Sequence, residues 1–262
     1  MNRHLRGAIH TLPALLLAAS FTTNADDSAA SITWSTGLEF SSGSYGGSGD
    51  IEDLYVPMKG RVEFGRVSFD LTVPYLSVRA PAGTTVTEPG GEPVPGSGET
   101  VTESGMGDVI AGVTIYDVLY SDELGIALDL AGRVKFGTAD EAKGLGTGEN
   151  DYTIRADVYK FFEQFTLLAS GGYKFRGEPA DIELEDVWLG SVGGVLLPSE
   201  RSSFGVIYDY RESALVDGDA ISELSVFMTR QFTDRWNIQF YAFTGFSDSS
   251  PDWGAGVQFT AG

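Results

Sequence analysis

The 262-residue sequence contains no cysteine, and its two histidines, His4 and His10, both fall within the first ten positions. Disulfides and thiolate metal sites are therefore excluded. If the N-terminus is removed on export, so are hydrolytic mechanisms that need a His base beside Ser or water, and all His metal sites. Basic residues are also scarce: 17 Lys and Arg stand against 37 Asp and Glu, for a formal charge of −20. After the N-terminal segment no stretch stays apolar for the ~18 positions of a membrane helix. A membrane location would then require a closed barrel, because lipid leaves no partner for open strand edges.

The N-terminus carries Arg3 and Arg6, an apolar run from Ala8 to Ala19, and Thr23-Asn24-Ala25 before Asp26. This is the pattern of a cleaved export signal over residues 1–25. The run is too short for a spanning helix and has no stop-transfer segment after it. The mature chain, residues 26–262, is expected to be a single domain. Losing two Arg leaves it with 15 basic and 37 acidic residues.

Alternation with period 2 dominates the mature chain. In 124–136, Leu124, Ile126, Leu128, Leu130, Val134 and Phe136 share one parity, and Asp129, Arg133 and Lys135 the other. In 152–159, Tyr152, Ile154, Ala156 and Val158 alternate with Thr153, Arg155, Asp157 and Tyr159. One parity is continuously apolar and the other charged, as in a strand between lipid and a wet lumen. The pattern recurs in strands over 32–41, 54–64, 67–78, 108–119, 165–176, 187–197, 203–211, 221–232, 236–245 and 253–260. Both parities of 187–197 are largely apolar or Gly, so its outward face is ambiguous. Residues 80–106 read as a long acidic loop without a basic residue.

Twelve strands emerge, and their connections alternate between short turns and longer loops, most of them acidic and Gly-rich. Aromatic residues gather at strand ends. Trp34, Phe64, Phe165, Phe204, Trp236 and Phe259 lie at the short-turn end. Phe40, Tyr75, Phe136, Tyr152, Tyr173, Phe175, Tyr210 and Trp253 lie at the long-loop end. Short periplasmic turns, long extracellular loops and two aromatic girdles describe an all-β, up-and-down antiparallel barrel in a Gram-negative outer membrane.

The lumen parity carries Lys59, Arg61, Arg133, Lys135, Arg155, Lys174, Arg176 and Arg211. Its acids include Asp129 and Asp157, deeper than the cations of the central strands, and Asp108, Asp209 and Glu223. Two readings stand. Arg133, Lys135, Arg155, Lys174 and Arg176 form a basic wall inside the mouth that attracts anions, or the charges form a salt-bridge ladder filling a narrow lumen. The acidic 80–106 loop could fold inward and pair with that wall.

Several local motifs resemble a known family. They are Val56-Pro57, Gly107-Asp108, Arg133-Val134-Lys135-Phe136-Gly137-Thr138, Gly144-Leu145-Gly146-Thr147-Gly148 and Asp151-Tyr152. Together they resemble the transporter-like outer-membrane family named for the meta-pathway of phenol degradation. The chain departs from it where Gly137 replaces the usual Pro and Ala139 the usual Gly. The resemblance implies an outer-membrane channel or transporter for small organic, often aromatic, compounds, and it supplies no binding residues. GLGTG is not a phosphate loop, because the Lys-Ser/Thr ending and the following helix are missing.

The expectation is therefore a non-enzymatic channel passing small organic solutes, anionic or aromatic ones among them, with no cofactor or metal. Its partners would be outer-membrane lipid, lipopolysaccharide and the solute, with no nucleic acid. A structural or adhesive barrel without transport is the main alternative. A soluble barrel binding an apolar ligand is a third, and would have to hide its aromatic outer face.

Overall fold

The computed structural model describes residues 30–262 apart from 48 and 89, so the export-signal segment lies outside the described residues. Fifteen strands form: β1 Ser31–Gly43, β2 Ile51–Phe64, β3 Val67–Pro81, β4 Thr85–Val86, β5 Pro93–Val94, β6 Thr100–Met106, β7 Val109–Ser121, β8 Ile126–Phe136, β9 Asp151–Phe161, β10 Phe165–Phe175, β11 Val187–Ser199, β12 Ser202–Arg211, β13 Ile221–Thr233, β14 Trp236–Gly245 and β15 Trp253–Ala261.

Each strand of the wall pairs antiparallel with its sequence neighbours, and β15 pairs with β1. Both β6 and β7 run beside β3, as one strand interrupted at 107–108, so the closed wall has twelve strands. Closure matters physically, since a barrel has no unpaired edge to expose to lipid. Connections at one end are short: 65–66, 122–125, 162–164, 200–201 and 234–235. Gly65 takes φ 56° in one of the two-residue turns, a conformation open to glycine without steric cost. The loops at the other end are longer.

One sequence expectation is corrected. Residues 80–106 are not a free loop: β3 runs on to Pro81, and Thr100–Met106 pairs with it, Tyr75 opposite Met106 and Pro81 opposite Thr100. Only 82–99 departs from the wall, as a strap with a small β4–β5 hairpin. The Gly and Pro content of the stretch hid a strand that is regular beyond Gly98.

Side chains on the outer parity are exposed and apolar around the whole circumference, including Leu38, Leu71, Leu130, Ile154, Leu167, Val206, Val226 and Phe240. In water such a belt would be far larger than the patches soluble monomers tolerate. In lipid it is the matched surface, which removes the soluble-barrel alternative. The girdles flank it. At the short-turn end Trp34 is 66% exposed, with Phe64, Trp236 and Phe259 also exposed. At the other end Phe40 meets Trp253 at 5.5 Å, and Tyr173 meets Phe175 and Trp188 at 4.9 and 4.8 Å between ring centroids. Trp188 settles the ambiguous strand: Trp188, Val192 and Leu196 point outward, Val187 and Val195 inward.

The interior is packed rather than uniformly wet. One apolar cluster of Tyr159, Leu168, Val195, Ile207, Phe227, Tyr241 and Phe243 fills part of the lumen. Glycines make room for its rings: a Cβ on Gly205 would come within 2.1 Å of the Phe227 ring. A second cluster, Ile51, Tyr55, Leu76, Val78, Ala80, Val86 and Leu145, sits where the strap and the GLGTG loop cover the mouth.

Candidate functional site

The lumen side chains sort into linked groups of opposite charge. The outer end of β10, the residue just beyond it, and the outer end of β12 bring Lys174, Arg176 and Arg211 together on one carboxylate, Glu88 of the strap. Arg176 Nη2 donates to Glu88 Oε1 at 3.3 Å, Arg211 Nη1 lies 3.6 Å away, and Lys174 Nζ donates to the same oxygen. Glu88 is only 5% exposed. Burial pushes its carboxyl up, but the three cations more than offset this and hold it well below the usual carboxylate range.

The strap has a second anchor. Ser213 Oγ donates to Glu92 at 2.9 Å and the Ala214 N–H donates at 3.0 Å. Thr87 Oγ1 closes the intervening turn by donating to the Glu92 carbonyl at 2.6 Å. The strap therefore lies inward across the mouth, fixed to inward cations of the wall at Glu88 and to the loop after β12 at Glu92.

Lys135 is the centre of a second node. Its Nζ lies 3.1 Å from Asp108 and 3.3 Å from Asp151, and it donates to Thr147 Oγ1 at 3.2 Å and the Thr87 carbonyl at 3.1 Å. Asp108 Oδ1 also accepts the N–H groups of Thr138 and Ala139, both at 2.9 Å. Asp108, Thr138, Thr147 and Asp151, scattered through the motif region, thus meet around one buried charge. The GLGTG loop is structural here: Gly144 at φ 67° turns the chain, its carbonyl accepts the Val86 N–H at 2.8 Å, and Leu145 fills the mouth cluster.

The two departures from the family pattern also fit locally. The Gly137 N–H donates to Asn150 Oδ1 at 3.0 Å, a bond proline could not make. A Cβ at Gly146 would meet that of Ala139 at 2.7 Å, so glycine at 146 leaves the space that Ala139 takes.

The remaining expected residues also lie inward, some in pairs of their own and some beside these nodes. Lys59 and Arg61 share Asp70 at 3.6 and 3.7 Å, in the short-turn half. Arg155 pairs with Asp157 at 3.0 Å. Asp129 accepts the Asp117 N–H at 2.7 Å and so holds a bulge in β7 where Asp117 takes φ 54°. Arg133 is half-buried and lines a cavity of about 70 Å³ with Arg155, Lys174 and Arg211. Asp209 and Glu223, directly opposed across β12 and β13, line the same cavity.

Four acids escaped the sequence reading: Asp151, Glu39, Glu88 and Glu92. Asp151 shares the parity of Arg155 and Asp157, and Glu39, which accepts the Tyr241 hydroxyl at 2.6 Å, shares that of Ser35. Parity would have placed both. Nothing local distinguishes Glu88 and Glu92 from the other acids of the strap.

On β12 to β15 the inward groups of the short-turn half are neutral. Ser203, Thr229, Gln239 and Gln258 are consecutive cross-strand neighbours on β12 to β15. All four are buried and, among the described residues, carry oxygen or nitrogen atoms with no protein hydrogen-bond partner. Such groups demand water.

Solved structures share this architecture. An outer membrane channel from Pseudomonas putida F1 matches with a TM-score of 0.72 and 12% identity over 92% of this chain and 99% of that one. The NanC porin matches with a TM-score of 0.56 and 8% identity, over 88% of this chain and 100% of that one. The KdgM porin matches with 0.53 and 7%, over 88% and 98%. No protein of curated function matches the sequence. The lipid-facing belt, the closed wall and these likenesses identify an outer-membrane barrel. The model of the family described as "Putative MetA-pathway of phenol degradation" matches residues 13–261, and the chain belongs to that family.

Proposed function

We propose that the barrel is a narrow channel for small organic solutes carrying a negative charge. The observation that carries this reading is the cation-lined lumen. Arg133, Lys135, Arg155, Lys174 and Arg211 all line the cavity near the mouth, interspersed with the carboxylates Glu88, Asp151, Asp209 and Glu223, and a partly unpartnered polar belt lies toward the short-turn end. Cations held at a constriction lower the barrier for anions, and the belt supplies hydrogen bonds to accompanying water. The apolar clusters beside this route suit an organic body better than a bare ion. The family's description supports small aromatic compounds as a solute class.

Planar-bilayer recording tests the proposal. With a salt gradient across the membrane, the reversal potential should report anion preference. Replacing Arg133 and Arg155 by Glu should shift it toward cations. Cation preference in the wild type would refute the basic wall as a selectivity element. Absence of any conductance would leave a structural or adhesive barrel as the better account.

A further inference from the structure

The contact between the strap and the barrel wall has the form of a ligand in a site. A single carboxylate, borne on a short aliphatic stem, is held by one ammonium and two guanidinium groups from β10 and the outer ends of the wall. Structural ion pairs in the same lumen look different. Lys59–Asp70 and Arg155–Asp157 join neighbours on the same or adjacent strands. Glu88 instead comes from a segment outside the wall, 86 positions from Lys174.

The cavity beside it is continuous with the same groups: Glu88, Lys174 and Arg211 line it, together with the apolar Ile110, Leu189 and Ile221. Beyond Glu88 the strap continues through Gly90, at φ 67°, and Gly91 before its second anchor at Glu92. The Gly91 N–H closes this turn on the Glu88 carbonyl at 2.9 Å, and its two glycines give the turn conformational freedom.

We propose that Lys174, Arg176 and Arg211 form a recognition subsite for the carboxylate of a permeating monocarboxylate, and that Glu88 occupies it as a built-in surrogate that the solute displaces. The subsite rests on the channel reading for its purpose but not for its existence. Exchange replaces one carboxylate by another, so the net charge of the occupied seat is unchanged. All three cations converge on one oxygen, Oε1, of Glu88, so the seat is built around a carboxylate oxygen that accepts several charge-assisted hydrogen bonds. The adjacent Ile110, Leu189 and Ile221 select for a solute with an apolar body. An internal competitor weakens apparent affinity by the fraction of time it is seated.

Glu88→Ala in the full-length, detergent-folded protein empties the seat, and propionate is the probe because it carries a single carboxylate on a short apolar stem, as Glu88 does. Calorimetry should show saturable propionate binding at least about tenfold tighter than in the wild type. Propionamide, of the same shape without the charge, should not bind. Adding Lys174→Gln and Arg176→Gln should abolish the propionate signal. Equal binding in Glu88→Ala and wild type, or propionamide binding as well as propionate, would overturn the proposal.

Should Glu88→Ala fail to fold, judged by heat-modifiable gel mobility, the otherwise native barrel decides through a reporter on the strap. The sequence has no cysteine, so Val86→Cys places a unique, buried thiol there. Propionate, but not propionamide or chloride at equal ionic strength, should accelerate its alkylation severalfold; an unchanged rate refutes exchange. Binding without any bilayer conductance would sink the channel reading and keep the subsite. Anion conductance without propionate binding or strap release would do the reverse.

Discussion

Lys135 offers the sharpest quantitative test, because its ammonium serves two carboxylates that water barely reaches: Lys135, Asp108 and Asp151 are 5%, 1% and 3% exposed at their side chains. At separations of 3.1 and 3.3 Å, each attraction is about 5 kcal/mol at an effective dielectric of about 20. Lys135→Met keeps the stem and removes the charge. Stranding a buried ion typically costs about 3–5 kcal/mol. The carboxylates keep other donors: the Thr138 and Ala139 amides on Asp108, and the Gly177 amide on Asp151 with Arg176 3.6 Å away. The loss should therefore lie near the lower end, about 3 kcal/mol. Guanidinium unfolding from lipid vesicles, followed by tryptophan fluorescence, measures it. Asp108→Asn should restore part of the loss in the double variant, because it removes one of the stranded charges. A single-variant cost below about 1 kcal/mol, or strictly additive effects in the double, would refute the view that this node holds the mouth together.

Three further outcomes are measurable. Leu130→Arg places a charge mid-strand on the lipid face and should cost about 2–4 kcal/mol in the same vesicle assay; a neutral result would mean that β8 does not face lipid. Gly205→Val has to displace the Phe227 ring and should destabilise by about 1–3 kcal/mol, whereas the outward Val206→Ile should be nearly silent. Because the carboxyl of Glu88 is depressed below its unfolded value, its contribution is present above that value and disappears only as pH falls through the depressed folded one. Alkylation of Val86→Cys, expressed relative to a free thiol at the same pH because only the thiolate reacts, should thus stay low from pH 8 to 5 and rise only under strongly acidic conditions; release near pH 6 would contradict the ion-pair anchor.

The wall was legible residue by residue. Lipid and a packed lumen impose opposite demands on alternate positions, so Leu128, Leu130, Ile154 and Val158 against Asp129, Arg155 and Asp157 state strand, face and membrane at once. Short turns and long loops fixed the orientation, and the same parity located the inward cations. Parity loses its grip where both faces are small or apolar, as in β11, and where glycine and proline mask regular pairing, as in β6.

Alternation along a strand says which way a side chain points but not what it meets. Lys174, Arg176 and Arg211 were visible as inward charges, yet open mouth and salt-bridge ladder predict the same pattern. Their partner lies on the strap, and the contact is set by barrel closure, by the Glu92 anchor and by the packing of Val86 against Leu145. Composition and periodicity of 2 are local properties and suffice for a barrel in a membrane. Pairing inside the lumen joins residues 86 positions apart, and only the closed tertiary fold brings Glu88 to the three cations that hold it.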